Sequence, residues 1–378
     1  MTRLIWTLLL AMAALAMTVP CAFAGQFKKP AYYHVGPRNS VPEAVVAADF
    51  DGDKAVDLAV ADFATGVIRV LLGKGNGTFT TSHSFSVPSF VSNLAVGDFN
   101  GDHKLDLAVV EYGGTGTSAL GIFLGNGDGT FHESATYPLG VEALSAAVAD
   151  FNGDGHPDIA ATNEGPTGKG SVMVFFGKGD GTFGPPTTYN LPNYPYSVAA
   201  SDLNNDGRAD LVVAEYNAGV AVLLNKGGGK FGKPVVYGVH PTGLTDVVIA
   251  DLNHDKKADL VVCTFDGIAI LLGSGKGKFN SAAYYSTQSI DKGGNPYAAV
   301  VADFNRDGNS DLAIVLTQSD AGLFYGQGDG TFKTVIPIKL NVGGGEGIAT
   351  GDFNNDQAPD LAIVLTQVGQ MAVLLNTQ

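Results

Sequence analysis

The chain has 378 residues, 45% hydrophobic and 16% charged, with a formal charge of −15 from 37 Asp and Glu against 22 Lys and Arg. That apolar content supplies a sizeable core and excludes global disorder. The acidity excludes a nucleic-acid or anionic-membrane binder, because both need basic patches.

In chain order, residues 1–24 come first. Arg3, an apolar run from Leu4 to Ala16, and Ala22-Phe23-Ala24 read as a secretory signal cleaved after Ala24. The run is short for a membrane anchor, and no later stretch is apolar for long enough to span a bilayer. No membrane insertion is therefore expected, and the product is expected to be secreted to the periplasm, the cell surface or the medium. The mature chain, 25–378, is read as one domain. It keeps one cysteine, Cys263, inside the strand-like VVCTF, so it has no intramolecular disulfide. A buried side chain is the expected role for Cys263.

Seven nine-residue segments then align without gaps: DFDGDKAVD at 49–57, DFNGDHKLD at 98–106, DFNGDGHPD at 150–158, DLNNDGRAD at 202–210, DLNHDKKAD at 251–259, DFNRDGNSD at 303–311 and DFNNDQAPD at 352–360. A small residue precedes each (Ala48, Gly97, Ala149, Ser201, Ala250, Ala302, Gly351), and a large apolar residue holds position 2. Farther on in six units comes a glycine-rich stretch such as GKGNGTF at 73–79 or GKGDGTF at 177–183. A phosphate cradle would lead into a helix; these lead into strand-like residues and are read as tight hairpin turns. Short β-type runs fill the gaps. Four strands per unit, seven times over, predict an all-β fold: a seven-bladed β-propeller of four-stranded blades. Small residues before each loop suit the innermost strands, where blades crowd the axis.

The last unit ends without a Gly-x-Phe strand, whereas GQFKKPAYYHVG at 25–36 parallels GKFGKPVVYGVH at 229–240. Residues 27–35 are therefore predicted to form the outer strand of the last blade and to close the ring, removing its exposed edge.

Each loop carries oxygen side chains at positions 1, 3, 5 and 9. These are Asp49, Asp51, Asp53 and Asp57; Asp98, Asn100, Asp102 and Asp106; Asp150, Asn152, Asp154 and Asp158; Asp202, Asn204, Asp206 and Asp210; Asp251, Asn253, Asp255 and Asp259; Asp303, Asn305, Asp307 and Asp311; and Asp352, Asn354, Asp356 and Asp360. All-oxygen ligation in a flexible loop suits a hard cation, Ca²⁺ above Mg²⁺, with up to seven structural ions. Aspartate-capped turns are the alternative, but they would gather three or four carboxylates seven times without a counter-ion. The flanking helices and position-12 Glu of an EF-hand are absent. Glycine holds position 6 at Gly155, Gly207 and Gly308, which ranks units 3, 4 and 6 ahead of the rest.

These loops, with Phe183-Gly184 and Phe231-Gly232 opening outer strands, resemble the FG-GAP/VCBS-type repeat family, known from the N-terminal propellers of integrin α subunits. The resemblance covers nearly the whole mature chain and implies a seven-bladed propeller with Ca²⁺ in the loops joining first and second strands. Integrin partners do not carry over, since no other integrin domain is present.

No catalytic constellation stands out, so the chain is read as a non-enzyme. The face opposite the loops carries the most variable connections and is the expected binding face. Its candidates are Tyr112, Glu164, Tyr194, Tyr196, Tyr216, Phe265 and Tyr297, within Glu111-Tyr112, Asn163-Glu164, 193–196, 215–217, Phe265-Asp266, 291–297 and 343–346. Tyrosines beside carboxylates suit a sugar or a peptide. The expectation is a monomeric extracellular recognition or adhesion module for a protein or glycan. A lectin, or a polysaccharide-degrading enzyme using Glu111, Glu164, Glu215 and Asp266, are the alternatives. The charge resolves accordingly: the seven loops hold 22 of the 37 acidic residues and only six of the 22 basic ones, so the acidity belongs to the loops.

Overall fold

The computed structural model describes residues 26–36, 40–113, 116–165, 169–241, 243–290, 294–318, 320–340 and 343–378. The leader 1–24 lies outside the described residues, as do 291–293 of one predicted face loop.

Short Val-, Ile- and Leu-rich runs separated by tight turns pair antiparallel with their sequence neighbours. Among the described residues they form 28 strands in seven four-stranded sheets, as predicted. Blade 1 is Pro42–Ala48, Asp57–Asp62, Val67–Gly73 and Phe79–Ser86, from the axis outward. Blades 2 to 6 begin with Phe90–Gly97, Ala146–Ala149, Pro195–Ser201, Asp246–Ala250 and Pro296–Ala302. First strands pack on one another around the whole circle, the seventh against the first. The small residues singled out in the sequence are the last residues of these strands.

The core lies between facing blades. Ala59, Ile68 and Val70 of blade 1 meet Leu94, Leu107 and Val109 of blade 2, and equivalent clusters fill the other junctions. Each buried aliphatic side chain contributes about 1.5–3 kcal/mol, so stability is spread around the ring. Cys263 is buried in one of these clusters.

The glycine-rich turns do more than reverse the chain. Each clips its blade to the preceding one. Gly129 N–H donates to the Phe50 carbonyl at 3.2 Å, Gly181 to Phe99 at 2.9 Å, Gly229 to Phe151 at 3.0 Å and Gly77 to Phe353 at 2.7 Å. Gly129 has φ +77°, and a Cβ there would stand 2.8 Å from the Leu72 side chain, so glycine is required by both backbone and space. The phenylalanine ending the turn packs edge-on against the same position-2 ring, as in Phe50–Phe131 and Phe99–Phe183. An outer-strand tyrosine completes the clip in several blades: Phe183 N–H donates to the Tyr137 hydroxyl at 2.7 Å.

Blade 7 takes Gly345–Gly351, Asp360–Leu365 and Gln370–Leu374 from the C-terminus and its outer strand, Ala31–His34, from the N-terminus. Tyr32 pairs with Ala372 and Tyr33 with Met371. The clip at this seam is rebuilt from other atoms. Phe27 stands edge-on to Phe304 at 6.1 Å, and the Phe304 carbonyl accepts Asn376 Nδ2 at 2.8 Å and Gln26 Nε2. The predicted closure is thus present, with a regular strand shorter than the 27–35 expected and Phe27 joined separately to Asn376.

Candidate functional site

The aspartate loops join first to second strands on one side of the ring. In all seven, the position-9 aspartate opens the second strand and is fully buried. Its two oxygens hold at least two backbone amides, and three at Asp158 and Asp311. Asp57 accepts from Phe50 at 2.8 Å and Gly73 at 2.7 Å; Asp360 accepts from Phe353 at 2.9 Å and Asn376 at 2.7 Å. This carboxylate ties the loop to the end of the third strand, a structural role that spacing alone did not show. Burial pushes Asp57, Asp158, Asp311 and Asp360 up to about 6 and raises Asp106, Asp210 and Asp259.

The position-1 carboxylate folds the loop over itself: Asp49 accepts from Gly52 at 2.7 Å and Lys54 at 2.9 Å. Position 6 is left-handed whether or not it is glycine. Lys54, His103, Lys256 and Gln357 have φ of 73°, 65°, 62° and 66°, beside 87°, 81° and 87° at Gly155, Gly207 and Gly308. The glycine-based ranking of the loops therefore has no counterpart in the backbone.

The side chains distinguish the loops instead. Asp49, Asp51 and Asp57 each present an oxygen within 4.8 Å of the others, a hard-donor set that fits Ca²⁺. Burial and the charges of Asp53 and Asp49 raise the Asp51 carboxyl. In loops 2, 4 and 5 a basic residue at position 7 meets the position-5 aspartate: Lys104–Asp102 at 3.7 Å, Arg208–Asp206, and Lys257–Asp255 at 2.8 Å. In loops 3 and 6 the Asn152 and Asn305 amides donate to Asp154 and Asp307. The extra carboxylate of Asp51 gives loop 1 more carboxylates than any of the other six loops.

On the opposite face the structure gathers most of the predicted residues. Tyr196 stacks on Tyr216 at 5.8 Å; Tyr194 stands edge-on to both; Phe265 meets Tyr216 at 5.5 Å. Tyr297 meets Tyr196 at 6.1 Å, and their hydroxyls hydrogen-bond at 2.8 Å. Five rings from blades 4, 5 and 6 and the connection before blade 4 thus form one cluster, with Phe265 38% exposed. Tyr112 belongs to a second group with Phe63 and Phe90, the latter two stacked at 5.1 Å. Between them lies an acidic pair: burial and a hydrogen bond with Glu142 push Glu164 up to about 7. Burial, then the charges of Glu164 and Glu142, raise Tyr194. Of the carboxylates considered for catalysis, Glu111 and Glu215 are buried, and Glu215 accepts from Asn193 N–H and Nδ2 at 3.2 and 3.0 Å.

The face opens inward on an axial pocket of about 190 Å³. It lies at the starts of the first strands, away from the aspartate loops. Two rings of seven residues line it. The outer ring is Glu43, Ser92, Leu144, Tyr196, Thr245, Tyr297 and Glu346; the inner is Ala44, Asn93, Ser145, Ser197, Asp246, Ala298 and Gly347. They occupy the sixth and fifth positions before the first aspartate of each loop. Reading those two columns down the repeat would have found them.

The inner ring staples neighbouring blades. Ala146 N–H donates to Asn93 Oδ1 at 3.3 Å, Val198 N–H to Ser145 Oγ at 3.2 Å, Ser197 Oγ to Asp246 Oδ1 at 2.9 Å and Ala299 N–H to Asp246 Oδ2 at 3.2 Å. The outer ring sets Glu43 and Glu346 on adjoining blades, with Tyr297 on the blade next to Glu346 and Tyr196 on the far side of the ring. Burial, then the charges of Glu346 and Asp62, push Glu43 up to about 8; burial raises Glu346. A carboxyl raised on folding stabilises the fold fully below its unfolded value and loses that contribution as pH rises to its folded value. Glu43→Gln is therefore expected to raise the melting temperature at pH 8 and to leave it unchanged near pH 4; thermal scans at both pH values check this.

The family described as FG-GAP-like repeat matches residues 49–109, 110–161, 150–213, 202–262, 251–314 and 311–363. No curated protein matches. Among solved structures, the chain is similar to an Agrocybe aegerita lectin reported for its specific recognition of non-reducing terminal N-acetylglucosamine (20% identity, 89% of this chain and 86% of that one, TM-score 0.59). It is also similar to BBS1N in its complex with ARL6DN (11% identity, 93% and 97%, TM-score 0.64) and to Chaetomium thermophilum Raptor (11% identity, 94% and 29%, TM-score 0.62). At these identities the likeness is one of fold.

Proposed function

Because the chain belongs to the FG-GAP-like repeat family, we propose that it is an exported recognition propeller, stiffened by Ca²⁺ in its aspartate loops, that binds an extracellular glycan or protein on the opposite face. The carrying observation is the convergence of Tyr194, Tyr196, Tyr216, Phe265 and Tyr297 into one aromatic cluster beside Glu142 and Glu164. Aromatic faces pack on the C–H surfaces of sugar rings while carboxylates accept their hydroxyls. That pairing favours the lectin form of the reading, and the likeness to the Agrocybe lectin agrees with it. The Ca²⁺ would be held by positions 1, 3, 5 and 9 of the loops, with loop 1 as the fullest site; there it would neutralise gathered carboxylates.

A glycan and peptide array probed with wild type and with a Tyr216→Ala/Phe265→Ala variant tests the reading. Losing two central aromatic contacts is expected to weaken any array ligand by about tenfold or more. An array with no ligand for the wild type, or a variant that binds as wild type does, would contradict it.

A further inference from the structure

The axial pocket has a chemistry that the exposed aromatic cluster does not use. Glu43 and Glu346 stand side by side on one arc, and among the described residues no hydrogen-bond donor or cation is matched to either carboxylate. Among the described residues, no Lys, Arg or His lines the pocket. Farther round the same ring, from the blade next to Glu346 to the far side, the Tyr297 and Tyr196 hydroxyls share one hydrogen bond, which uses one of their two protons and leaves the other for a ligand oxygen.

We propose that this pocket binds the protonated primary amine of an unacetylated hexosamine, which enters from the aromatic face with its ammonium between Glu43 and Glu346. The proposal rests on that face being the recognition surface. Two carboxylates held close in a partly buried site demand positive charge, and the upward push on Glu43 is the same demand met by a proton. A bare metal ion fits less well. Among the described residues, the metal-sized gathering of three carboxylates is the one at Asp49, Asp51 and Asp57, and a space of about 190 Å³ suits a sugar ring better than an ion. A lysine side chain fits less well too, because much of the wall is polar, with Ser92, Asn93, Ser197 and Asp246 where four methylenes would lie. The amine is the discriminating group: acetylation removes its charge and would leave both carboxylates without a cation.

Isothermal titration of the full protein at neutral pH with D-glucosamine, D-glucose, N-acetyl-D-glucosamine and L-lysine amide tests the assignment. Glucosamine is expected to bind about tenfold or more tighter than each of the others, and Glu43→Gln/Glu346→Gln to abolish that preference. Should the double variant not fold, Glu346→Gln alone is expected to reduce it, and the ligand comparison on wild type stands without any variant. Equal affinity for glucosamine and glucose, tighter binding of N-acetylglucosamine or lysine amide, or a preference unchanged in folded variants would overturn the proposal. The two readings fail separately. Array binding that depends on Tyr216 and Phe265, with no preference for glucosamine, overturns the pocket and keeps the face. Glucosamine binding through Glu43 and Glu346, with array binding indifferent to Tyr216 and Phe265, supports the pocket and overturns the face.

Discussion

Deletion of residues 25–36 is expected to lower the melting temperature by roughly 10 °C or more. The segment supplies the outer strand of blade 7 and the ring that stands on Phe304. Val35 is buried, and Phe27 and Tyr33 pack into the clusters on either side. At about 1.5–3 kcal/mol for each such side chain, their loss removes on the order of 5 kcal/mol before any strand pairing is counted. Truncation also exposes the edge of Gln370–Leu374 and deprives Phe304 of the Gln26 contact. An exposed strand edge invites pairing with other chains, so the truncated protein should aggregate on heating. A synthetic 25–36 peptide added in excess should restore part of the lost stability. An unchanged melting temperature would show that the ring does not depend on this seam.

The second large effect is expected from metal removal. Outside the loops, residues 25–378 balance their charges, so the repulsion among the 22 loop aspartates is local. A cation at ~100 times its dissociation constant stabilises the folded state by about 2.7 kcal/mol per site, and several sites add. Treatment with a chelator should lower the melting temperature, Ca²⁺ should restore it, and Mg²⁺ should do so less well. Asp51→Asn is expected to weaken the response of loop 1 alone, because only that loop has a carboxylate at position 3. A thermal scan indifferent to both chelator and Ca²⁺ would contradict the structural role assigned to the metal.

Much of the architecture was legible because repetition multiplies weak signals. Phe50, Phe99 and Phe151 at one position, small residues at another and an aspartate before every second strand locate the same turn in each unit. The N-terminal closure was legible for the same reason, since Gln26-Phe27 parallels Lys230-Phe231. The clips were not. That Gly129 reaches the Phe50 carbonyl depends on how neighbouring blades twist against each other, and a turn sequence carries no record of what lies beyond its own blade.

The aromatic face was legible as a set of loops but not as a contact map. Tyr196 and Tyr297 are separated by 101 residues and meet only because the ring brings blades 4 and 6 toward one axis. The axial rings were not legible as rings, although Tyr196, Tyr297 and the 343–346 segment were named as face residues. Glu43, Asp246 and Glu346 each look like an isolated polar residue at the start of an apolar strand. Their meaning appears only when one repeat column is read around the circle.

The most direct test of the account is a calorimetric titration of the strongest array ligand into three proteins in saturating Ca²⁺: wild type, Tyr216→Ala/Phe265→Ala, and the loop variant Asp51→Asn. The loop variant is expected to keep wild-type affinity while the face variant loses about tenfold or more. Retained affinity in the face variant together with loss in the loop variant would move recognition to the aspartate loops and contradict the account.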